Sequence, residues 1–243
     1  QLANRAMLIQ RSRVTWLKMP VDRRPPAPVL DESHKWRPFQ LGFILLCLPS
    51  IANPENPDRH LVDLLWFPTG GGKTEAYLGL TAFTIFLRRM RGSGQKVTAG
   101  VTVLMRYTLR LLTIQQFQRA STLIMACETI RRQNKGKLGE DEINLGLWVG
   151  GTATPNKLSQ AKTALEQILQ GERVLEGNPY QIHSCPWCGT PITPRHYRIG
   201  VTLVIQCPNE DCEFATALPL YLVDEDIYRR RPSLLIGTVD KFA

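Results

Sequence analysis

The segment Phe67-Pro68-Thr69-Gly70-Gly71-Gly72-Lys73-Thr74 restricts the fold of this chain more than any other. It joins a short apolar run, Leu61 to Phe67, to a helix-like run, Lys73 to Arg91. A glycine-rich turn between a strand and a helix lets consecutive backbone N–H groups face inward, and the helix N-terminus adds its positive dipole. A lysine and a threonine at the helix start complete a phosphate loop. In that arrangement Lys73 reaches the β- and γ-phosphates of ATP, the Thr74 hydroxyl binds Mg²⁺, and Thr69, Gly70, Gly71 and Gly72 surround the phosphates. Such a loop needs a strand before it and a helix behind it, so the chain falls in the α/β class.

The rest of the pattern agrees. Apolar runs at 61–67, 100–105, 145–149 and 233–237 read as buried strands, and 73–91, 108–132 and 156–169 read as helices. Strands alternating with helices predict a parallel sheet covered on both faces, a RecA-like P-loop domain. Residues 39–48 read as a helix ended near Pro49, and the proline-broken, basic residues 1–35 as a strap. The alternation stops at 171–222, which reads as an insertion. The first lobe is therefore expected over 36–170, with a return to it at 223–243. The longest apolar run, Leu41 to Leu48, is too short to cross a bilayer, so no membrane partner is expected. The chain opens on Gln1 and closes on Ala243, and it reads as part of a longer polypeptide.

Charge is concentrated. The chain carries a formal net charge of +9, and residues 88–135 hold ten Lys/Arg against the single acid Glu128. Such a block predicts either a polyanionic partner such as DNA or a solvated helix face.

Four of the six cysteines form Cys185-x2-Cys188 and Cys207-x4-Cys212. Four thiolates at this spacing make a closed, structural zinc site, a four-cysteine zinc-ribbon-like subdomain with a strand near 199–206. With no position left open for water, this zinc is not catalytic. Cys47 and Cys127 lie in apolar stretches and read as core thiols.

The order of further motifs resembles the first motor lobe of superfamily-2 helicases. That resemblance implies that Gln40, in Arg37-Pro38-Phe39-Gln40, reads adenine. It also implies nucleic-acid contacts from Arg106, Thr108 and Arg110 in the segment Arg106 to Gln116, from Gly150-Gly151, and from Thr238 and Lys241. Phe67 departs from the small residue usual at the entrance of such a loop. Asp224-Glu225 looks like a Walker B pair, but it precedes Thr238, whereas in these motors the pair follows that motif. It is expected to be a solvated acidic turn facing Arg229–Arg231, with the true pair beyond Ala243.

More narrowly, Phe67 to Leu80, Arg106 to Arg110, Leu147-Trp-Val-Gly-Gly151, the four cysteines and Gly237 to Ala243 together resemble the helicase-like DrmA subunits of bacterial DISARM anti-phage systems. The resemblance implies a bacterial cytoplasmic ATP-dependent helicase or translocase that engages DNA beside a companion subunit, DrmB. As given, the chain would bind ATP weakly and hydrolyse it hardly at all. The alternative is a DNA-recognition module that uses ATP as a clamp or switch.

Overall fold

The structure, a computed structural model, describes residues 1–68, 70–92 and 99–242, with the side chains of Arg110 and Phe242 excepted. The strands are β1 (Val103–Tyr107), β2 (Leu145–Trp148), β3 (Tyr197–Ile199), β4 (Leu203–Ile205), β5 (Leu220–Tyr221) and β6 (Leu234–Thr238). Four of them form a parallel sheet in the order β1-β6-β2-β5. All five residues of β6 are buried, as expected of a central strand covered on both faces. The fold is thus α/β, as the strand–helix alternation predicts.

The helices are α1 (Leu2–Lys18), α2 (Pro38–Ala52), α3 (Lys73–Arg91), α4 (Arg110–Gln133), α5 (Lys135–Leu138), α6 (Leu158–Leu169) and α7 (Asp224–Arg230). The core runs along α4, where Phe117, Leu123, Ile124 and Ile130 are fully buried, and on into Leu145, Leu147, Leu234 and Ile236 of the sheet. Cys127 lies in this core. Cys47, also buried, faces Asp63, and desolvation pushes its thiol up to about 12.

Three expectations are corrected. Leu2–Lys18, the first half of the expected strap, is a helix with Ala6 and Met7 in the core, because the prolines begin only at Pro20. Helix α2 continues through Pro49 to Ala52. Leu61 to Phe67 is not a strand, and Val62, Leu64 and Trp66 are exposed. A strand exists only through its ladder, and among the described residues nothing pairs with this run or with the outer edge of β1.

Within the inserted segment, β3 and β4 pair antiparallel, Tyr197 with Ile205, so the 199–206 run is a hairpin arm bent at Gly200 rather than one strand. At the end of that segment, β5 pairs with β2 in the main sheet and so belongs to the larger domain.

Candidate functional site

The described part of the glycine-rich turn opens α3 and is not preceded by a strand. Gly70 and Gly72 have φ of +81° and +97°, a region that side chains disfavour. A Cβ on Gly72 would also stand 2.8 Å from the Gln40 amide nitrogen. Lys73 opens α3 and turns back into the loop, donating to the carbonyls of Phe67 and Pro68. Thr74 follows in the first turn. Thr69 lies outside the described residues.

The start of α2 clamps this loop in three places. Arg37 donates to Gly71 O at 2.7 Å, and Gln40 Nε2 donates to Gly72 O at 2.8 Å. Phe39 stacks on Phe67 with ring centroids 3.7 Å apart. The Phe39 stack gives the unusual Phe67 a physical role. Gln40 Oε1 accepts from Arg37 N at 2.9 Å, so both ends of the amide are engaged inside the protein. Sequence reasoning does not find Arg37 as a loop residue. It lies three positions before Gln40, and its contact is made by the fold, not by a local pattern.

The sheet gathers the other motifs at the carboxyl ends of its strands, where ligands of open α/β sheets bind. In register, Tyr107 stands opposite Thr238 and Trp148 opposite Gly237. This brings the ends of β1, β6 and β2, with Arg106, Thr108, Thr238 and Gly150-Gly151, to one edge. Arg106, Thr108 and Gly151 are exposed, while Thr238 is buried and its Oγ1 has no partner among the described residues.

Lys241 is not a free cation. Its Nζ donates to Asp224 Oδ2 at 2.6 Å, and Asp224 is 3% exposed. Glu225 accepts from Leu158 N at 2.9 Å and caps α6. Asp226 is fully buried and pairs with Arg229. Asp224 and Asp226 are therefore structural groups at the start of α7, not a solvated turn.

Burial raises the Asp224 carboxyl above its ordinary value, against the opposing pull of Lys241. A raised folded-state value means that ionising Asp224 opposes folding. Its contribution to stability is fully present below the unfolded pKa and is lost as pH rises through the folded one. Titration followed by the Asp224 13Cγ chemical shift is expected to give a midpoint above that of an exposed aspartate. Lys241→Met is expected to move it higher still, and a downward move would show that the ion pair is not formed.

Among the described residues, most cations of the basic block have partners within the protein. Arg88 donates to Val101 O at 2.7 Å, Arg119 pairs with Glu75, and Lys135 pairs with Glu140 at 3.0 Å. Arg89 is 2% exposed and donates to Glu142 O at 2.9 Å. Arg131 and Arg132 converge on Glu128. Arg89 and Arg131 are thus buried groups of the fold, whereas Arg88, Arg119, Arg132 and Lys135 have partners but stay exposed, as on a solvated helix face. Arg106 remains exposed.

The four cysteines form the most complete site. Cys185, Cys188, Cys207 and Cys212 place their sulfurs within 4.8 Å of one another, and all four are free thiols. The pairs Cys188–Cys207 and Cys185–Cys212 lie at 3.4 and 3.9 Å. A tetrahedron with Zn–S of about 2.3 Å has sulfurs about 3.8 Å apart. Four sulfurs at these separations could hold a metal such as zinc. Interactions with the neighbouring thiols, Cys185 first and then Cys212, lower the Cys188 thiol from its usual range.

Helix α1 grips this module. The Arg13 guanidinium lies 3.3 Å from the Trp187 ring centroid and donates to Trp187 O at 2.8 Å. Arg132 donates to Glu213 O at 3.0 Å, tying α4 to the same module. No spacing rule in the sequence marks Arg13, because its partner Trp187 stands 174 residues away.

No family model matches the chain. It is 47% identical over 229 residues to the DISARM protein DrmA of Bacillus paralicheniformis, a match that takes in 88% of this chain and 20% of that protein. The motif-based resemblance to DrmA is thereby shown, and the chain spans about one fifth of the length of the relative it matches.

Proposed function

We propose that this chain is the ATP-binding first lobe, RecA-like in fold, of a superfamily-2 DNA helicase or translocase acting in bacterial anti-phage defence. The observation that carries the reading is the Gly70–Thr74 turn, with two glycines at positive φ and Lys73 folded into the loop at the head of α3. Similarity to a DISARM protein DrmA supports the defence setting. Among the described residues no helix is long and apolar enough to cross a membrane.

The loop fits a nucleotide's phosphates. The backbone N–H groups of Gly70–Gly72 would surround them, Lys73 would give up the carbonyls of Phe67 and Pro68 for phosphate oxygens, and Thr74 would hold Mg²⁺. Bound ATP supplies the free energy of phosphoryl transfer. Gln40, which fixes Gly72, would read adenine once its internal bonds are exchanged. Arg106, Thr108 and Gly151 at the strand ends would meet the phosphates of DNA, joined by Arg110, Gly150, Thr238 and Lys241 as the loops adjust. Zinc held by the four cysteines would brace the insert against α1 and α4. DrmB is the companion subunit this reading implies, and the bacterial cytoplasm its compartment.

The test uses the intact protein. Lys73→Ala removes a charge-assisted hydrogen bond worth about 2 kcal/mol, so ATP affinity is expected to fall about thirtyfold, with loss of DNA-stimulated hydrolysis. A strand-displacement assay with the same variant as control separates the two modes of action. Displacement that requires Lys73 supports a motor. DNA-stimulated hydrolysis without displacement would leave the ATP clamp as the mode of action. Unchanged ATP binding in Lys73→Ala would overturn the assignment of the loop.

A further inference from the structure

The sequence sets Asp224 and Glu225 against the arginines at 229–231, and the fold leaves two of those arginines over. Asp224 is taken by Lys241, and Glu225, the exposed acid of α7, is bound at Leu158 N. Asp226 accepts from Leu203 N at 2.8 Å and pairs with Arg229, which also donates to Val201 O on the inserted hairpin. Arg230 and Arg231 are exposed, and neither forms an ion pair or a side-chain hydrogen bond among the described residues.

Arg231 also stands where its backbone is disfavoured. It caps α7 with φ of +49°, and no other described non-glycine residue has a positive φ. Glycine or asparagine is usual at such a helix end, because a Cβ crowds the left-handed region. The Arg231 N–H closes the helix on Ile227 O at 2.8 Å, a bond that glycine would make equally well. The helix end therefore does not account for an arginine here; what glycine would lack is the free guanidinium.

Tyr228, in the same turn, links these cations to the strand ends. It is 61% exposed and meets the half-buried Trp148 edge to face, with ring centroids 6.1 Å apart. Trp148 closes β2, and Lys241 Nζ lies 5.8 Å from its ring centroid. An exposed ring braced by a second aromatic, beside unpaired guanidiniums, matches what a single nucleic-acid strand needs: bases stack on aromatics while cations follow the phosphates.

We propose that the exposed face of α7 is a further contact surface for a single DNA strand, with a base stacked on Tyr228 and phosphates on Arg230 and Arg231. Resting on the DNA-directed reading above, this face extends the strand's path from the edge at Lys241 along α7. Bases of a duplex are already stacked on one another, so Tyr228 favours a single strand.

The test is fluorescence anisotropy of the intact protein with a labelled oligothymidylate and with a duplex of the same length, over a range of salt. Tyr228→Ala is expected to weaken single-strand binding about tenfold and duplex binding much less, and Tyr228→Trp to keep it. Arg231→Gly suits the left-handed backbone, so it is expected to melt within a few degrees of the parent. It is nonetheless expected to weaken single-strand binding and to lower the slope of log affinity against log salt by about 0.7, the share of one phosphate contact. A residue that served only the helix end would leave that slope unchanged. Parent-like strand affinity and slope in Tyr228→Ala and Arg231→Gly would overturn the α7 face, as would an equal loss on the duplex. Arg106→Ala keeps the two readings apart. A loss there with none in the α7 variants leaves the strand-end contacts standing without α7, and an intact parent protein that binds no single strand overturns both.

Discussion

Removal of metal from the cysteine module is expected to unfold that module and to release α1 with it. The module's secondary structure is slight, two three-residue strands, so its fold leans on the bond between its two cysteine pairs. Structural zinc sites contribute on the order of 10 kcal/mol of apparent binding energy, which in such modules is folding energy. Arg13, over the Trp187 ring and on its carbonyl, transmits the loss to α1. Metal analysis is expected to find zinc bound by the four thiols, and Cys188→Ser to lose it. Even a loss of about 3 kcal/mol lowers the melting midpoint of a domain this size by about 10 °C. Amide hydrogen exchange over Leu2–Lys18 is expected to accelerate after chelation, and to accelerate alone, with metal retained, in Arg13→Ala. Full protection of α1 in chelated protein would show that the helix does not depend on the module.

The second large effect lies in α4. Glu128 is 1% exposed and accepts two bonds of 2.7 Å from Arg131, one of 2.8 Å from Arg132 and one of 2.9 Å from Ile143 N. Arg131 is itself 5% exposed. Glu128→Ala leaves that guanidinium buried without its counter-charge, a change that costs about 3–5 kcal/mol. Glu128→Gln keeps the shape and part of the hydrogen bonding, and is expected to cost less. Urea unfolding of both variants checks the order, and a loss below about 1 kcal/mol for Glu128→Ala would mean that the arginines find other partners. The same variant bears on the charge of the chain. It would remove the shared counter-charge of two of the cations that composition alone leaves open to a partner or to solvent.

Local signals made part of this protein readable. Four cysteines in two short pairs determine a ligand set whatever surrounds them, and their sulfurs do converge. Gly70, Gly72 and Lys73 specify a turn and a helix start by backbone geometry alone. The runs at 100–105, 145–149 and 233–237 are apolar enough to be strands in any α/β context, and each forms one within a few residues of its expected place.

Other features needed the assembled fold. Helix α1 turns Gln10 and Ser12 inward beside Ala6 and Met7, so no apolar stripe announces it, and the prolines after it dominate the composition of residues 1–30. Leu61 to Phe67 has the residues of a strand, yet whether it becomes one depends on a neighbouring edge elsewhere in the chain.

The arginines are the clearest case. A count of charges cannot distinguish Arg106, exposed at a strand end, from Arg89 and Arg131, buried on carbonyls and a carboxylate. The amino-acid order therefore settles the α/β class, the glycine-rich turn and the cysteine tetrad, because each follows from spacing along the backbone. The α1 clamp, the Lys241–Asp224 pair and the disposal of the basic block depend on groups far apart in sequence. Their energies come from desolvation and contact, which exist only once the chain has packed.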